Sequence, residues 1–566
     1  MNDASPDRPT NAAVAEGATP VAPKAPMALS DHPWWALSAL LIGLSMIVID
    51  GSVVNVLLPD MVDDLKLTTT DVLWVNSIYS LIFASLLIPI GLVSDKYGRR
   101  KLFLIGTLVF MLGSLGAGAS TGPEMLIALR AVQAIGASMM LPSSVAIINV
   151  MFVGKQRAMA FGLWGAVFGG AAALGPLLGG WLAQDYSWRW AFYINVPVAI
   201  LSSVLVWRYV PESKVDSGDS LDPVGIVLSV TGLSLIVFGL IEGDSYGWWN
   251  QLRPFTAGPI KLEGHLSIVP IVLGLGALLL ILLVLWAKHR MAVGKTPLID
   301  LPLFAIPRYG YGNLVALVVS LGEFGILFML PLWIQSVAGY DPLSTGIILT
   351  GLALGALVSG GLARHLAALL GPTKVVRVGM ALEVIGILGT AFMLSPTRAP
   401  WWLMLPLFVY GIGLGLASAQ LTSVVLEDVP PDKSGRASAM TSTFRQLGSA
   451  LGAAILGSVL FAGLGHFMTV DLKGVSNLPE DQQQQIVDTV KGSSGQAIPK
   501  LAKVPGLEPE VEAARSGYTT AAKDTAYVAA LFVFMGLLVS FGLPKDVDPA
   551  ASDEGAEPAD ERQPVS

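Results

Sequence analysis

The chain has 566 residues, of which 53% are hydrophobic and only 13% are charged. Soluble domains carry about 25% charged residues, so this composition predicts an all-α protein that crosses a membrane many times. The sequence contains no cysteine, which excludes disulfides, thiol catalysis and thiolate metal sites, and its net charge of −7 does not favour a nucleic-acid partner.

Both ends of the chain are rich in alanine, proline and polar residues, so residues 1–30 and 547–566 predict disordered cytoplasmic tails. Between them lie fourteen apolar runs of about the 20 residues that a bilayer requires. A long polar link over 464–524 is predicted to face outward and to hold short helices, such as one over 480–490. The predicted spans are 35–58, 72–93, 102–120, 124–147, 157–182, 190–209, 222–242, 266–287, 312–336, 343–363, 375–395, 401–426, 437–463 and 525–543.

The fourteen spans divide into two six-helix bundles. An N-terminal bundle over 31–212 and a C-terminal bundle over 301–546 flank two linking spans within 213–300. The link 360–375 stands where 91–101 stands in the first bundle, a degenerate repeat typical of two-halved transporters. The even-numbered links carry more Lys and Arg than the short outward links, which predicts that both termini are cytoplasmic. A thirteen-span layout, with the C-terminus outside, is the alternative.

The first span contains an acid, Asp50, in the segment IVIDGSVVNVLLP. A carboxylate at that depth costs a few kcal/mol, so it is expected to face a cavity or a partner. Two readings stay open: a buried structural ion pair, or a carrier of protons or cations. Arg130 lies at a similar depth in the fourth span, in LIALRAVQAIGASMM, and is the expected counter-charge unless it extends to the outer surface.

The link after the second span reads GLVSDKYGRRK over 91–101. Its charges predict a tight turn at the membrane surface, and its Lys and Arg residues place that turn on the cytoplasmic side. Glycine permits the sharp reversal. Asp95 lies near the end of the incoming helix, where the helix dipole disfavours an acid, so it is expected to need a partner. The residues singled out in this link are Gly91, Asp95, Gly98, Arg99, Arg100 and Lys101.

The fifth and sixth spans carry two further patterns. The fifth reads GAVFGGAAALGPLLGGW, a small-residue face that permits close helix contact and is interrupted by a proline. Its candidate residues are Gly169, Gly175, Pro176, Gly179 and Gly180. The sixth opens with WRWAFYINVP, whose Trp188, Trp190 and Tyr193 predict an anchor at the outer interface.

The second bundle adds two buried acids, Glu323 and Glu383, which could bind the substrate cation or a proton, or could form structural pairs. Arg445 could balance either acid. Glu427 and Asp428 are expected to cap the twelfth span at the cytoplasmic surface. Four large side chains could line a central cavity or simply pack: Trp74, Tyr79, Met140 and Trp164.

The sequence predicts neither a cofactor nor a metal. The five histidines lie near span ends or in loops, and the glycines of GIGLGLA lie within a span rather than after a strand. No phosphate-binding loop is present, so the expected energy source is an ion gradient rather than ATP.

These motifs together resemble the major facilitator superfamily, and within it the fourteen-span drug:proton antiporters. GLVSDKYGRRK looks like the signature loop, LRAVQAIGA like the fourth-span arginine motif, and GAAALGPLLGG like the fifth-span antiporter motif. IDGSVVNVLLP and WRWAFYINVP resemble motifs of the fourteen-span group. The sequence departs from the family pattern at Gly51, where Thr is frequent, and at Ala134, where Gly is frequent.

The resemblance implies two bundles that rock about a central cavity, with proton entry driving export. Asp95 would be the conformational latch, supported by Arg99, Arg100 and Lys101. Asp50 would match the first-span acid, and Arg130 would tune its proton affinity. Gly175 and Pro176 would match the antiporter motif.

The expected function is proton-coupled export of amphipathic, cationic drugs by a monomer in the cytoplasmic membrane of a bacterium. Its partners would be a small-molecule substrate, protons and the lipid bilayer. The alternative on the same fold is export of an endogenous lipid, metabolite or siderophore. A membrane-embedded lipid enzyme would need a polar cluster, and Asp60, Asp63 and Asp64 read better as a solvated outer loop. A sensor without transport is the remaining class.

Overall fold

The computed structural model describes residues 32–152, 154–214, 222–257, 260–262, 264–430, 434–476 and 478–544. The predicted tails 1–30 and 547–566 lie outside the described residues. Within the described part the chain is helical apart from two 3-10 turns, Leu301–Ala305 and Pro400–Leu403, and a hairpin of β1 (Phe255–Ala257) and β2 (Ile260–Leu262). The helices are α1 (Pro33–Leu65), α2 (Thr69–Tyr97), α3 (Arg99–Gly118), α4 (Pro123–Met151), α5 (Gly154–Asp185), α6 (Trp190–Tyr193), α7 (Asn195–Tyr209), α8 (Pro223–Tyr246), α9 (Ile268–Ala292), α10 (Pro307–Ser336), α11 (Pro342–Leu370), α12 (Pro372–Met393), α13 (Met404–Leu426), α14 (Ser434–Val475), α15 (Glu480–Gly492), α16 (Ile498–Leu501) and α17 (Glu508–Ser540).

Thirteen stretches of helix in the described residues are long and apolar enough to cross a membrane. They coincide with every predicted span except the fifth. At that place α5 has 32 residues, which is length enough for a span, but many of its side chains lie outside the described part. The all-α membrane fold is therefore confirmed, while the count of fourteen spans and the cytoplasmic termini stay predictions.

Local sequence explains where the helices begin and end. Thr68 and Asp71 form a reciprocal capping box at the start of α2: the Thr68 hydroxyl accepts from the Asp71 amide at 3.2 Å, and the Asp71 carboxylate accepts from the Thr68 amide at 2.9 Å. Lys66, in the left-handed region at φ 55°, ends α1 two residues earlier. Links this short make consecutive helices antiparallel neighbours.

The first half of the molecule contains α1–α7, and the second half contains α10–α14 and α17. The halves meet through α5 against α11 and α2 against α14. We call the two ends of the molecule the α1–α2 end, which carries the link 66–68, and the α2–α3 end, which carries Gly98. Several described contacts between the halves lie toward the α1–α2 end, which is predicted to face outward. They include the Gln335 amide, which donates to the Val56 carbonyl at 2.9 Å. The hydroxyls of Ser80 and Ser449 meet at 3.2 Å nearer the middle of α2.

The linking helices α8 and α9 pack on each other, and α8 also packs on α2 and α14. Asp222 holds them together: its carboxylate caps α8 through the Gly225 amide at 2.9 Å and accepts from Trp286 of α9 at 2.8 Å. Arg290 lies 3.7 Å from the same carboxylate. This buried pair lies where the chain enters the second half, so it fixes the linking helices to the start of that half.

The predicted outer loop 464–524 is mostly helical, which corrects the sequence-based expectation of a polar loop. α14 continues to Val475 and α17 begins at Glu508, so both helices project beyond the bilayer, α14 over about 60 Å in all. The helix predicted over 480–490 is confirmed as α15. Residues 478–507, here called the cap, pack on the second half through the buried Val490 and Ile498.

The cap also reaches the first half. The Lys500 ammonium lies 2.6 Å from the carboxylate of Asp63 at the end of α1, whereas Gln496 donates to the Ser336 hydroxyl of α10, within the second half, at 2.8 Å. Both side chains of that ion pair are partly exposed. The cap therefore extends from the second half over the end of α1.

Close helix contact makes one glycine of the fourth-span motif hard to replace. A Cβ at Gly136 would lie 2.4 Å from the Phe110 amide nitrogen and 2.6 Å from the Gly106 carbonyl oxygen. We expect Gly136→Ala to lower the free energy of unfolding by about 1–3 kcal/mol, the usual cost of overpacking. Gly274→Ala on α9 is the matched control, because a Cβ there meets nothing within 4 Å. Thermal unfolding in detergent tests both, and equal melting temperatures would contradict the α3–α4 packing.

The position of the cap can be tested by cross-linking, because the natural chain contains no cysteine. We expect Asp63→Cys with Lys500→Cys to be joined efficiently by a short bismaleimide. Lys101→Cys with Lys500→Cys serves as the control, since Lys101 lies near the opposite end of the helices. Mass spectrometry of the digested protein measures the product, and equal yields from the two pairs would show that the cap does not lie over α1.

Candidate functional site

Asp50 and Arg130 form a buried ion pair within the first half. An Arg130 Nη1 hydrogen is donated to Asp50 Oδ2 over 2.5 Å, and neither side chain is more than 1% exposed. Gln133, one turn along α4 from Arg130, donates from Nε2 to Asp50 Oδ1 at 2.9 Å and accepts from Arg130 Nη1 at 3.0 Å. The predicted counter-charge therefore lies where the sequence placed it, and both carboxylate oxygens have donors.

Two residues that the sequence analysis did not single out complete this network. Asn195 Nδ2, at the start of α7, donates to Asp50 Oδ1 at 2.9 Å and lies 2.8 Å from the Ser114 hydroxyl of α3. Ser114 donates to the Phe192 carbonyl at 2.9 Å and accepts from Gln133 at 3.1 Å. The available signal was the asparagine within WRWAFYINVP, but the aromatic residues around it suggested only an interfacial anchor.

The four cavity candidates have different surroundings. Tyr79 is buried, with its ring 4.4 Å from the Arg130 guanidinium in a cation–π contact. Met140 is fully buried between α1 and α3, near Gly43 and Gly106, so it packs inside the first half rather than lining a cavity. The Trp74 indole donates to Glu242 of α8 at 3.1 Å, so this side chain faces the linking helices. Trp164 is half-buried and packs beside the core of the first half.

The link after α2 is held by Glu212, an acid in the segment that follows α7. Glu212 accepts from the backbone amides of Arg100 at 3.0 Å and Lys101 at 3.1 Å, in the first turn of α3, where a helix favours negative charge. Gly98 adopts φ +118°, and a Cβ there would lie 2.9 Å from the Glu212 carboxylate. Both the conformation and the close approach require glycine. Sequence reasoning missed Glu212, because a single acid after a span has no distinguishing pattern.

The other predicted residues of this link have fewer described contacts. Arg99 is buried and donates to the Ala146 carbonyl at 3.4 Å, and Arg100 donates to the Val210 carbonyl at 3.2 Å. Gly91 lies in α2, where a Cβ would make only ordinary contact. The side chain of Asp95 lies outside the described residues, so its role as a latch stays a prediction.

The glycine face of α5 makes two close contacts. Toward α1, Gly179 leaves no room for a Cβ, which would lie 2.5 Å from a Val53 methyl group, and Gly175 faces Ser52. Toward the second half, a Cβ at Gly180 would lie 2.5 Å from the Pro342 carbonyl oxygen at the start of α11. Pro176 lies within α5, and Gly169 lies outside the residues whose surroundings are described.

The two acids of the second half are both buried, Glu323 at mid-length in α10 and Glu383 in α12. Neither carboxyl oxygen of Glu383 has a hydrogen-bond partner among the described residues, and nor does Glu323 Oε2. Glu383 lies close enough to Glu323 and Arg445 to interact with their charges. The buried phenol of Tyr410 lies within the same range of both acids. The structure therefore brings the predicted acids and Arg445 together and adds Tyr410.

Several acids predicted at the surface form ion pairs. Asp60, Asp63 and Asp64 lie on the last turns of α1 rather than in a loop, which corrects the solvated-loop expectation. Asp64 pairs with Arg189 and accepts from the indole of Trp188 at 3.0 Å, so Trp188 is a buried packing residue and not an interfacial anchor.

Trp190 is 51% exposed, as an anchor would be. Glu427 and Asp428, at the end of α13, pair with Arg308, which is buried. This cation offsets two acids at a helix C-terminus, where they are otherwise unfavourable.

The sequence profile of the Major Facilitator Superfamily matches residues 40–453. The chain belongs to the major facilitator superfamily. It is 33% identical to the puromycin resistance protein pur8 of Streptomyces alboniger, over 78% of this chain and 84% of that protein. It is 28% identical to the multidrug efflux pump LfrA of Mycolicibacterium smegmatis, over 89% of this chain and 95% of that one.

Solved structures support the fold. A bacterial homolog to the human lysosomal transporter Spinster, in an inward-facing and occupied conformation, superposes with a TM-score of 0.60 at 15% identity, covering 90% of this chain and 96% of that one. The protein is thus a multi-pass transporter of the plasma membrane, acting on a small-molecule substrate. Within the described ranges no group of three or more His, Asp or Glu side chains could hold a metal ion.

The Asp50–Arg130 pair predicts a non-additive effect on the stability of this superfamily member. Asp50→Asn or Arg130→Gln alone leaves one buried charge uncompensated, which costs about 3–5 kcal/mol. The double variant removes both charges, so we expect it to lose less stability than the sum of the two single changes. Melting temperatures of the purified proteins complete the cycle, and additive losses would mean that the two groups do not interact.

Proposed function

We propose that this transporter is an antiporter that exports amphipathic, cationic drugs in exchange for protons. The printed names of its relatives, a puromycin resistance protein and a multidrug efflux pump, favour drugs as the substrate class. The observation that supports proton coupling is the Asp50–Arg130 pair. Asp50 is an ionisable group that is fully buried within the spans, and its network connects α1 to α2, α3, α4 and α7.

Protonation of Asp50 would neutralise the carboxylate, so the group would lose its attraction to Arg130, and the three hydrogen bonds that the charged form accepts would weaken. A buried guanidinium without its partner is costly, so Arg130 and the helix that carries it would have to find a new arrangement. A proton at Asp50 would in this way favour one conformation of the first half over another, which is the linkage that antiport requires.

The second half supplies acids for the substrate. Glu323 and Glu383 have carboxyl oxygens that no described donor satisfies, and a drug cation could provide the missing charge. Because a proton neutralises the same carboxyl groups, proton and cation would compete, and competition at shared acids couples their movements in opposite directions.

Alternating access would use the two ends of the molecule. At the α1–α2 end, α5 and α11 approach closely through Gly180 and through Gly346, where a Cβ would lie 2.5 Å from the Pro176 carbonyl oxygen. These contacts close the end that is predicted to face outward. Rocking of the halves would separate them and open a path for the substrate.

The proposed function is tested by dye export in proteoliposomes that contain the purified full-length protein. We expect the wild type to move a fluorescent cationic dye only when a pH gradient is imposed, and Asp50→Asn to reduce the gradient-driven rate at least tenfold. Glu124→Gln is the matched control, because Glu124 is an exposed acid in the first turn of α4. It should transport like the wild type.

Two outcomes would contradict the proposal. Dye export that ignores the pH gradient would remove proton coupling. A correctly folded protein that moves no cationic dye would remove the drug assignment and direct the search to an endogenous lipid, metabolite or siderophore.

A further inference from the structure

We propose that Asn195, supported by Ser114, is a positioning residue that sets the pH at which Asp50 takes up a proton. It would also join that event to the sixth span. This proposal rests on the proposed function in one respect, since it takes Asp50 as the proton-binding group. It concerns two residues that carry no charge and that lie outside the ion pair itself.

One assignment of the hydrogens is consistent with every hydrogen bond of this network. The Ser114 hydroxyl has one hydrogen, which goes to the Phe192 carbonyl, so its oxygen accepts from Asn195 and Gln133. Each of these two amides therefore uses one N–H on Ser114 and the other on Asp50 Oδ1. The amide oxygen of Gln133 accepts from Arg130, which fixes its orientation as well.

This assignment leaves Asp50 surrounded by donors. Oδ2 receives an Arg130 hydrogen, and Oδ1 receives one hydrogen each from Gln133 and Asn195. A protonated Asp50 would have to donate its new hydrogen, but the atoms hydrogen-bonded to it among the described residues are all donors. The network therefore fits the ionised carboxylate, and protonation requires one of these groups to turn or to move away.

Asn195 is the donor best placed to do so. Arg130 and Gln133 share α4, whereas Asn195 is the one described donor from α7, at its first position, directly after Ile194, which joins α6 to α7 with helical backbone angles. Pro197 follows within the first turn and has no N–H for the Tyr193 carbonyl. The backbone is thus weakened beside the amide that touches Asp50, so displacement of Asn195 can be passed to α7.

The other helices around Asp50 contribute one cation and one phenol. Arg130 comes from α4 and Tyr79 from α2, and the Tyr79 ring lies against the guanidinium. Among the residues of α5 whose surroundings are described, those beside this part of α1 are glycines, Gly175 next to Ser52 and Gly179 next to Val53, and on α10 the described hydrogen bond to α1 comes from the neutral Gln335. Asn195 and Ser114 are therefore neutral groups that can be replaced without altering the charge of the site.

The test measures protonation of Asp50 directly in the purified full-length protein in lipid. Infrared spectroscopy reads the band of the protonated carboxyl group, identified as the band absent from Asp50→Asn. Loss of a hydrogen bond to the ionised form favours the neutral form, so we expect Asn195→Ala to move the midpoint of this titration upward by about one pH unit. Ser114→Ala should move it in the same direction by less, because Gln133 and Asn195 can still reach Asp50.

The controls separate this inference from a structural effect and from the proposed function. Asn250→Ala, at an exposed asparagine near the hairpin, should leave the midpoint unchanged. Asn195→Leu fills a similar volume without a hydrogen-bond donor, so it should raise the titration midpoint as Asn195→Ala does. It provides this test even if the cavity left by alanine destabilises the fold. An unchanged midpoint in both Asn195 variants overturns the inference. A shifted midpoint in a protein whose export ignores the pH gradient supports the inference and rejects the proposed function.

Discussion

The first half of this transporter depends on one carboxylate that cannot be left alone in a medium without water. An ionised acid buried in a bilayer requires a counter-charge and hydrogen-bond donors, and Asp50 obtains them from different helices. α4 supplies Arg130 and Gln133, α7 supplies Asn195, α3 supports both amides through Ser114, and α2 places Tyr79 against the arginine. Five spans thus meet at a single group, which holds them in one register.

The two halves treat their buried acids differently. In the first half both carboxylate oxygens of Asp50 accept hydrogen bonds, whereas Glu383 in the second half has no described hydrogen-bond partner for either oxygen. Donors on both oxygens stabilise the ionised form of Asp50, whereas a buried acid without donors favours binding of a cation or a proton. In the proposed cycle the two halves therefore have different parts: the Asp50 network responds to a proton, and Glu323 and Glu383 bind the substrate cation or a proton.

Much of the fold could be predicted from the sequence, because a bilayer fixes the length and polarity of a span and leaves a strong pattern. The Asp50–Arg130 pair could also be predicted, since two opposite charges at similar depth in lipid have few alternatives. Asn195, Ser114 and Glu212 could not be predicted, because neutral or solitary polar residues leave no such pattern and their partners are distant in the chain. The predicted spans are shorter than α14 and α17, because the outer parts of these helices contain no continuous apolar run.

Beyond the bilayer α14 buries one stripe that contains Leu464, Met468 and Leu472, while other faces of these two helices are largely polar. Spacing of four residues is the mark of an amphipathic helix, but average hydropathy does not register it. Average hydropathy also gives no sign of the packed cap, because its few buried residues lie in a segment that is polar overall.

The role of α5 in the proposed cycle follows from its lack of described hydrogen bonds to the Asp50 network. Among the described residues it contributes nothing to the hydrogen bonds at Asp50, and the contacts it makes with α1 and α11 are backbone approaches at glycines. Such contacts gain from close packing but contain no ion pair or hydrogen bond that must break when the helices slide. The other five spans of the first half are joined through Asp50 and its neighbours, so relative movement costs least at α5. In the proposed cycle the glycine face is therefore the surface on which the halves rock, and the Asp50 network is the group that a proton must disturb before they do.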